Sequence, residues 1–137
     1  MRALFPCFNR LVLEMAPAFE AKAIAPSTFA ELRSSPRLIV WEGASDQTIY
    51  GDANVNHAFR AWHDSCHLIG GFDFTLAGER QAAELQIRQV LQRYPQAPRQ
   101  WLDIIRAEVT AQAEYLEANG EFPADQLAFM RSILCHK

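Results

Sequence analysis

The fold of this chain is constrained most by two segments of helical periodicity joined by the glycine pair Gly70-Gly71. Apolar side chains recur at helical spacing over about residues 54–69 before the glycines, and over about residues 75–93 after them. Adjacent glycines end a helix and let the chain reverse its direction sharply. The pattern therefore predicts two antiparallel neighbouring helices, with side chains near the turn brought together.

The remaining sequence predicts a mainly α-helical bundle of about five helices with a small β-hairpin, in a single domain spanning residues 1–137. Further helices are expected over about residues 8–22, where Pro17 must kink or end the helix, from Thr28 to about 34, over 99–118, and from Pro123 to about 135. The β-prone runs Leu38–Trp41 and Thr48–Tyr50 flank turn-forming residues, which is typical of a hairpin.

Composition narrows the class of protein. The net charge is -3 and the basic residues are scattered, so no nucleic-acid partner is expected. Three widely spaced cysteines do not form a disulfide framework and indicate a reducing compartment. No stretch approaches the roughly 20 apolar residues of a transmembrane segment, and the N-terminus is a poor signal peptide. A cytoplasmic location is therefore expected.

The candidate site is the run His63-Asp64-Ser65-Cys66-His67, followed after eleven residues by Glu79. Histidines four positions apart lie about 40° from each other around a helix, so both can bind one metal ion. Glu79 falls within the apolar face of the following helix, where an ionised carboxylate needs a partner. The turn at the glycines would bring that carboxylate to the histidines.

This ligand set predicts one divalent metal ion, most simply zinc, with iron or manganese as alternatives. His63, His67 and Glu79 are the predicted ligands. Asp64 either binds the metal directly, orients His67, acts in catalysis, or simply forms a salt bridge. Such a set leaves coordination positions open, as catalytic sites do. The simpler interpretation places Glu79 in an ion pair with Arg60 or Arg80 and leaves the histidines without a metal.

The same residues resemble the metal-binding signature of a small helical ubiquinone-biosynthesis family, the fourth of the Coq series, in which H-D-x-x-H precedes a glycine turn and a G-E pair. The matching positions are His63, Asp64, His67, the Gly70-Gly71 turn and Gly78-Glu79, within about 20 residues. The resemblance implies a helical fold, a metal at those four positions, and a link to oxidative removal of the ring carboxyl group of a quinone precursor.

Two classes of function follow. The first is a mononuclear metal-binding helical protein, as a metal-dependent lyase, oxidoreductase or hydrolase whose partner is a small-molecule substrate; a quinone-type substrate is implied by the resemblance. The alternative is a small protein-interaction module, of a kind encoded by phages or mobile elements, with a structural metal or none. Other candidate ligands are assigned structural roles: Cys66 to the core, and His57 to the helix start or surface.

Overall fold

The computed structural model describes residues 2–135, which are mainly α-helical with one small sheet, as predicted. The helices are α1 (Pro6–Met15), α2 (Phe29–Ser34), α3 (Ala53–Gly70), α4 (Leu76–Arg93), α5 (Arg99–Arg106), α6 (Gln112–Asn119) and α7 (Gln126–Leu134), with a π-helical segment (Ala107–Ala111) between α5 and α6. The strands are β1 (Glu20–Lys22) and β2 (Ile39–Trp41).

The chain divides into two compact units, one extending to Ile69 and the other beginning at Gly70. The first unit contains α1, β1, α2, β2 and most of α3, whereas the second contains α4 to α7. The expectation of a single domain stays a prediction.

The predicted β-hairpin is wrong. β2 pairs in parallel with β1, in the register Glu20↔Ile39, and α2 connects the two strands. The Thr48–Tyr50 run is instead a buried loop, where the carbonyl of Ile49 accepts a hydrogen bond from the Leu4 amide (2.9 Å). Its apolar side chains are therefore buried without forming a strand.

Pro17 prevents α1 from continuing into the residues that form β1. The helix expected over residues 8–22 ends at Met15, and Ala16 before the proline is extended with ψ 134°. The proline ring disfavours helical backbone in the preceding residue, and its nitrogen cannot donate a helical hydrogen bond. The residues after Pro17 are therefore not helical, and Glu20–Lys22 form a strand beside β2.

An aromatic cluster forms the core of the first unit. The ring of Phe59 on α3 lies 6.3 Å from Phe8, 5.9 Å from Tyr50 and 5.9 Å from Trp62, between ring centroids. All four side chains are buried. Aromatic burial of this size contributes strongly to stability, so α3 is anchored one turn before His63.

Polar contacts also connect α3 to the segment after β2. The guanidinium of Arg60 donates to the carbonyls of Trp41 and Gly43 and lies 5.4 Å from the Trp41 ring centroid. One turn earlier, the Nε2 atom of His57 is 3.0 Å from the Glu42 carbonyl. These contacts satisfy backbone carbonyls that a two-stranded sheet leaves unpaired.

In the second unit, α4 contacts α5, the π-helical segment and α6, while α7 contacts the π-helical segment. α6 ends at Asn119 and is followed by the capping residue Gly120, whose φ of 77° is left-handed and therefore favours glycine. The last helix begins at Gln126 rather than at Pro123, because Asp125 caps it by accepting a hydrogen bond from the Ala128 amide (2.9 Å).

Within residues 2–135, no helix has both the length and the apolar character that crossing a bilayer requires.

Candidate metal centre

The histidine pair is held by a well-capped helix. The Asp52 carboxylate accepts a hydrogen bond from the Asn54 amide (2.8 Å), and its carbonyl accepts one from the Asn56 amide (3.2 Å). α3 then runs without interruption to Gly70. His63 and His67 therefore lie one helical turn apart, as the sequence predicts.

The two imidazoles face each other through their Nε2 atoms, which are 3.0 Å apart. Their ring centroids are separated by 4.6 Å and their planes by 85°. At this distance the N–H group of one ring donates a hydrogen bond to the unprotonated nitrogen of the other. Two nitrogens bound tetrahedrally to one zinc ion are about 3.3 Å apart, since each Zn–N bond is about 2.05 Å long. The pair is therefore close to the spacing of two ligands on one metal.

The two histidines have different environments. His67 is fully buried, with 0% of its surface exposed, whereas His63 is half-buried. The ring of Phe29, the first residue of α2, lies 6.4 Å from the His67 ring. At about 100° per residue, Ile69 shares the face of Cys66 on α3 and His67 lies beside that face. Cys66 and His67 are both buried, but Ile69 is 67% exposed.

Glu79 is fixed in the first turn of α4. Thr75 caps this helix, accepting a hydrogen bond from the Gly78 amide (3.1 Å) through its side chain and one from the Glu79 amide (2.8 Å) through its carbonyl. The Thr75 hydroxyl in turn donates to Asp73 (2.5 Å). A Cβ atom at Gly78 would lie 1.9 Å from the Asp73 carbonyl oxygen, so glycine is required where α4 begins.

One ligand atom from each of His63, His67 and Glu79 lies within 4.8 Å of the other two. These three residues could therefore hold a metal ion. Asp64 follows His63 on α3 and is half-buried; its role as ligand, orienting group or catalytic residue stays a prediction.

Several alternative partners and ligands have other contacts. Arg80 forms an ion pair with Glu114 (3.2 Å), and Cys66 is fully buried, as its structural role predicts. Glu108 lies in the π-helical segment and accepts a hydrogen bond from Gln112 (3.3 Å). His63, His67 and Glu79 are thus the described residues that come together as a group able to hold a metal ion.

No protein-family model, curated protein or solved structure matches this chain. The resemblance to the ubiquinone-biosynthesis signature therefore stays a prediction from its motif. Sequence reasoning missed Phe29 as a neighbour of the site. The Thr28–Glu31 capping pattern locates the start of α2, but nothing in it indicates that Phe29 lies beside His67.

Proposed function

We propose that this protein binds one divalent metal ion through His63, His67 and Glu79. The observation that supports the proposal is the convergence of the three ligand atoms within 4.8 Å, with the two imidazole nitrogens at 3.0 Å. A chance pair of surface histidines would be solvated, whereas His67 is fully buried. The Nε2 atom of His67 is directed at that of His63, so a metal ion between the two rings would take the place of the proton that they share.

The ligand chemistry favours a transition metal over calcium or magnesium. Two imidazoles and one carboxylate suit zinc, iron or manganese, whereas calcium and magnesium prefer oxygen ligands. Two neutral imidazoles and one carboxylate would leave a divalent ion with one net positive charge. Three protein ligands also leave room for water or a substrate oxygen, so the proposed site is of the open type found in enzymes.

We also propose that the metal site is catalytic, with a lyase, an oxidoreductase or a hydrolase as the candidate classes. A bound metal ion would polarise a substrate oxygen or lower the pKa of a bound water. Asp64, next to His63, would accept or donate a proton or orient a ligand. A quinone-type ring substrate rests on the resemblance of the motif alone.

The direct test is elemental analysis by ICP mass spectrometry on tag-free protein after dialysis. We expect about one equivalent of zinc, iron or manganese in the wild type, because one ligand cluster holds one ion. His63→Ala and Glu79→Gln should lose it. The matched controls are His57→Ala, on the same helix but bonded to the Glu42 carbonyl, and Glu84→Gln, on α4 but paired with Arg106.

The metal content of the wild type and of the two ligand variants tests the proposal against the alternative class of function. Equal metal content in the wild type and in both ligand variants would contradict the site. A wild type that stays folded and takes up no zinc, iron or manganese on supplementation would contradict metal binding altogether. The interaction module would then become the leading hypothesis, and partner capture the next experiment.

A further inference from the structure

The imidazole of His67 has a second aromatic neighbour besides His63. The Phe29 ring is tilted by 50° to it, with the centroids 6.4 Å apart. Phe29 is itself half-buried and comes from a different helix, α2. The orientation of the buried His67 ring is therefore constrained from outside its own helix.

A local hydrogen-bond network fixes Phe29 at the start of α2. The Thr28 hydroxyl accepts a hydrogen bond from the Glu31 amide (3.1 Å), and the Glu31 carboxylate accepts from the amide and the hydroxyl of Ser27 (3.1 and 2.9 Å). Reciprocal capping of this kind defines where a helix begins. Since Phe29 is the first helical residue, its backbone is fixed by this network.

The aromatic ring is restrained as well as the backbone. Arg33, one turn further along α2, places its guanidinium carbon 5.5 Å from the Phe29 ring centroid. The buried side chain of Leu32 anchors the same helix to the core. α2 thus presents a restrained ring to His67.

We propose that Phe29 is a positioning residue for the metal ligand His67; this rests on the metal site proposed above. Phe29 offers no ligand atom and acts by limiting rotation of the imidazole, so that its Nε2 atom stays directed at His63. A free imidazole would lose more rotational freedom on binding a metal. Groups that orient ligands by hydrogen bonds typically change metal affinity by about 10- to 100-fold, and a packing contact is expected at the lower end of that range.

The test measures Co²⁺ affinity and the visible spectrum of the Co²⁺-loaded protein, alongside urea unfolding of the metal-free protein. Phe29→Leu should weaken Co²⁺ binding by about tenfold, the lower limit for such groups, and alter the spectrum. Phe29→Tyr retains the ring and should restore both. The control is Phe129→Leu, which removes a half-buried ring that contacts Tyr115 (5.3 Å between centroids). It should leave Co²⁺ affinity unchanged even if it lowers stability.

Three outcomes are decisive. Wild-type affinity and spectrum in Phe29→Leu would overturn the positioning role while leaving the metal site intact. A wild type that binds no Co²⁺, zinc, iron or manganese would overturn the metal site itself. If Phe29→Leu does not fold, Phe29→Met serves instead, because methionine fills similar volume without an aromatic ring; wild-type binding by that variant would equally overturn the proposal.

Discussion

His63 and His67 have the same chemistry but differ in how much each contributes to the folded state. His67 is completely enclosed, with the Phe29 and His63 rings as neighbours, whereas His63 is half-buried. Removing an enclosed side chain leaves a cavity, and polar groups that were bonded to it stay buried without that partner. Loss of metal and loss of stability should therefore be separable between these two residues.

The first prediction compares His63→Ala and His67→Ala in the presence of a chelator. Both variants should lose metal, but only His67→Ala should lower the free energy of unfolding substantially, by about 2 kcal/mol or more. His63→Ala should cost about 1 kcal/mol or less. Urea denaturation of the metal-free proteins measures both changes. Equal costs would contradict the difference in burial.

At this scale the sequence predicted that His63, His67 and Glu79 lie close together, but not all of their surroundings. Helical spacing placed His63 and His67 together, and the apolar neighbours of Glu79 indicated that its carboxylate needs a partner. The full burial of His67 was not predictable, because it involves neighbours such as Phe29, whose contact with α3 crosses a long interval of sequence. Periodicity within one helix carries no information about such a contact.

At the scale of the element, the network that starts α2 makes a pH-dependent contribution. Hydrogen bonds from the Ser27 amide and hydroxyl, followed by those with Thr28, lower the pKa of the Glu31 carboxyl below 4.5. A carboxyl with a lowered pKa in the folded state stabilises the protein above its unfolded pKa. That contribution is lost as the pH falls through the folded-state value.

The second prediction is that Glu31→Gln will be less stable than the wild type at neutral pH, with the difference vanishing in acid well below pH 4.5. Chemical denaturation at several pH values measures it. Thr28→Ala, which removes the neutral half of the same cap, should instead cost about 1 kcal/mol and depend much less on pH, because Ser27 makes the larger contribution to the lowered pKa of Glu31. A difference for Glu31→Gln that stays constant into acid would rule out the carboxylate as its source.

The third prediction concerns the start of α4. Gly78→Ala should destabilise the protein by about 1–3 kcal/mol, because the new methyl group would overlap the Asp73 backbone carbonyl. It should also weaken metal binding, since Glu79 is the next residue. In an unobstructed helix the same change would be stabilising by about 1 kcal/mol. Calorimetry with metal titration measures both effects, and a stabilised variant with intact metal affinity would contradict the close approach.

The elements differ in how well the sequence predicts them. The bounds of α3 and α4 were predicted closely, because glycines end α3 and the Thr75 side chain caps the start of α4, and both signals are local in the sequence. The predicted pairing of β2 with the Thr48–Tyr50 run was wrong, because strand pairing depends on contacts between segments that are distant in sequence. Ile49 is apolar and β-prone, but its side chain is buried equally well in a loop, where its carbonyl accepts a hydrogen bond from the Leu4 amide.

For the whole molecule, surface charges contribute little to stability. The Arg106 guanidinium donates two hydrogen bonds to the Glu84 carboxylate, both 3.1 Å, and this contact raises the pKa of Arg106. Both side chains are about half exposed, at 47% and 51%, so the pair is worth about 1 kcal/mol or less. The proposed metal ion would be a larger source of stabilisation, because it would bind only the folded chain.

The final prediction follows from that linkage. A ligand that binds only the folded state stabilises it by about 2.7 kcal/mol when its free concentration is 100 times its dissociation constant. Zinc should therefore raise the melting temperature of the wild type, and EDTA should reverse the rise. His57→Ala, which keeps all three proposed ligands, should respond like the wild type, whereas Glu79→Gln should respond weakly. Scanning calorimetry at fixed protein concentration measures these shifts. An equal rise in Glu79→Gln would show that Glu79 contributes nothing to binding, because the histidines alone would then account for the stabilisation.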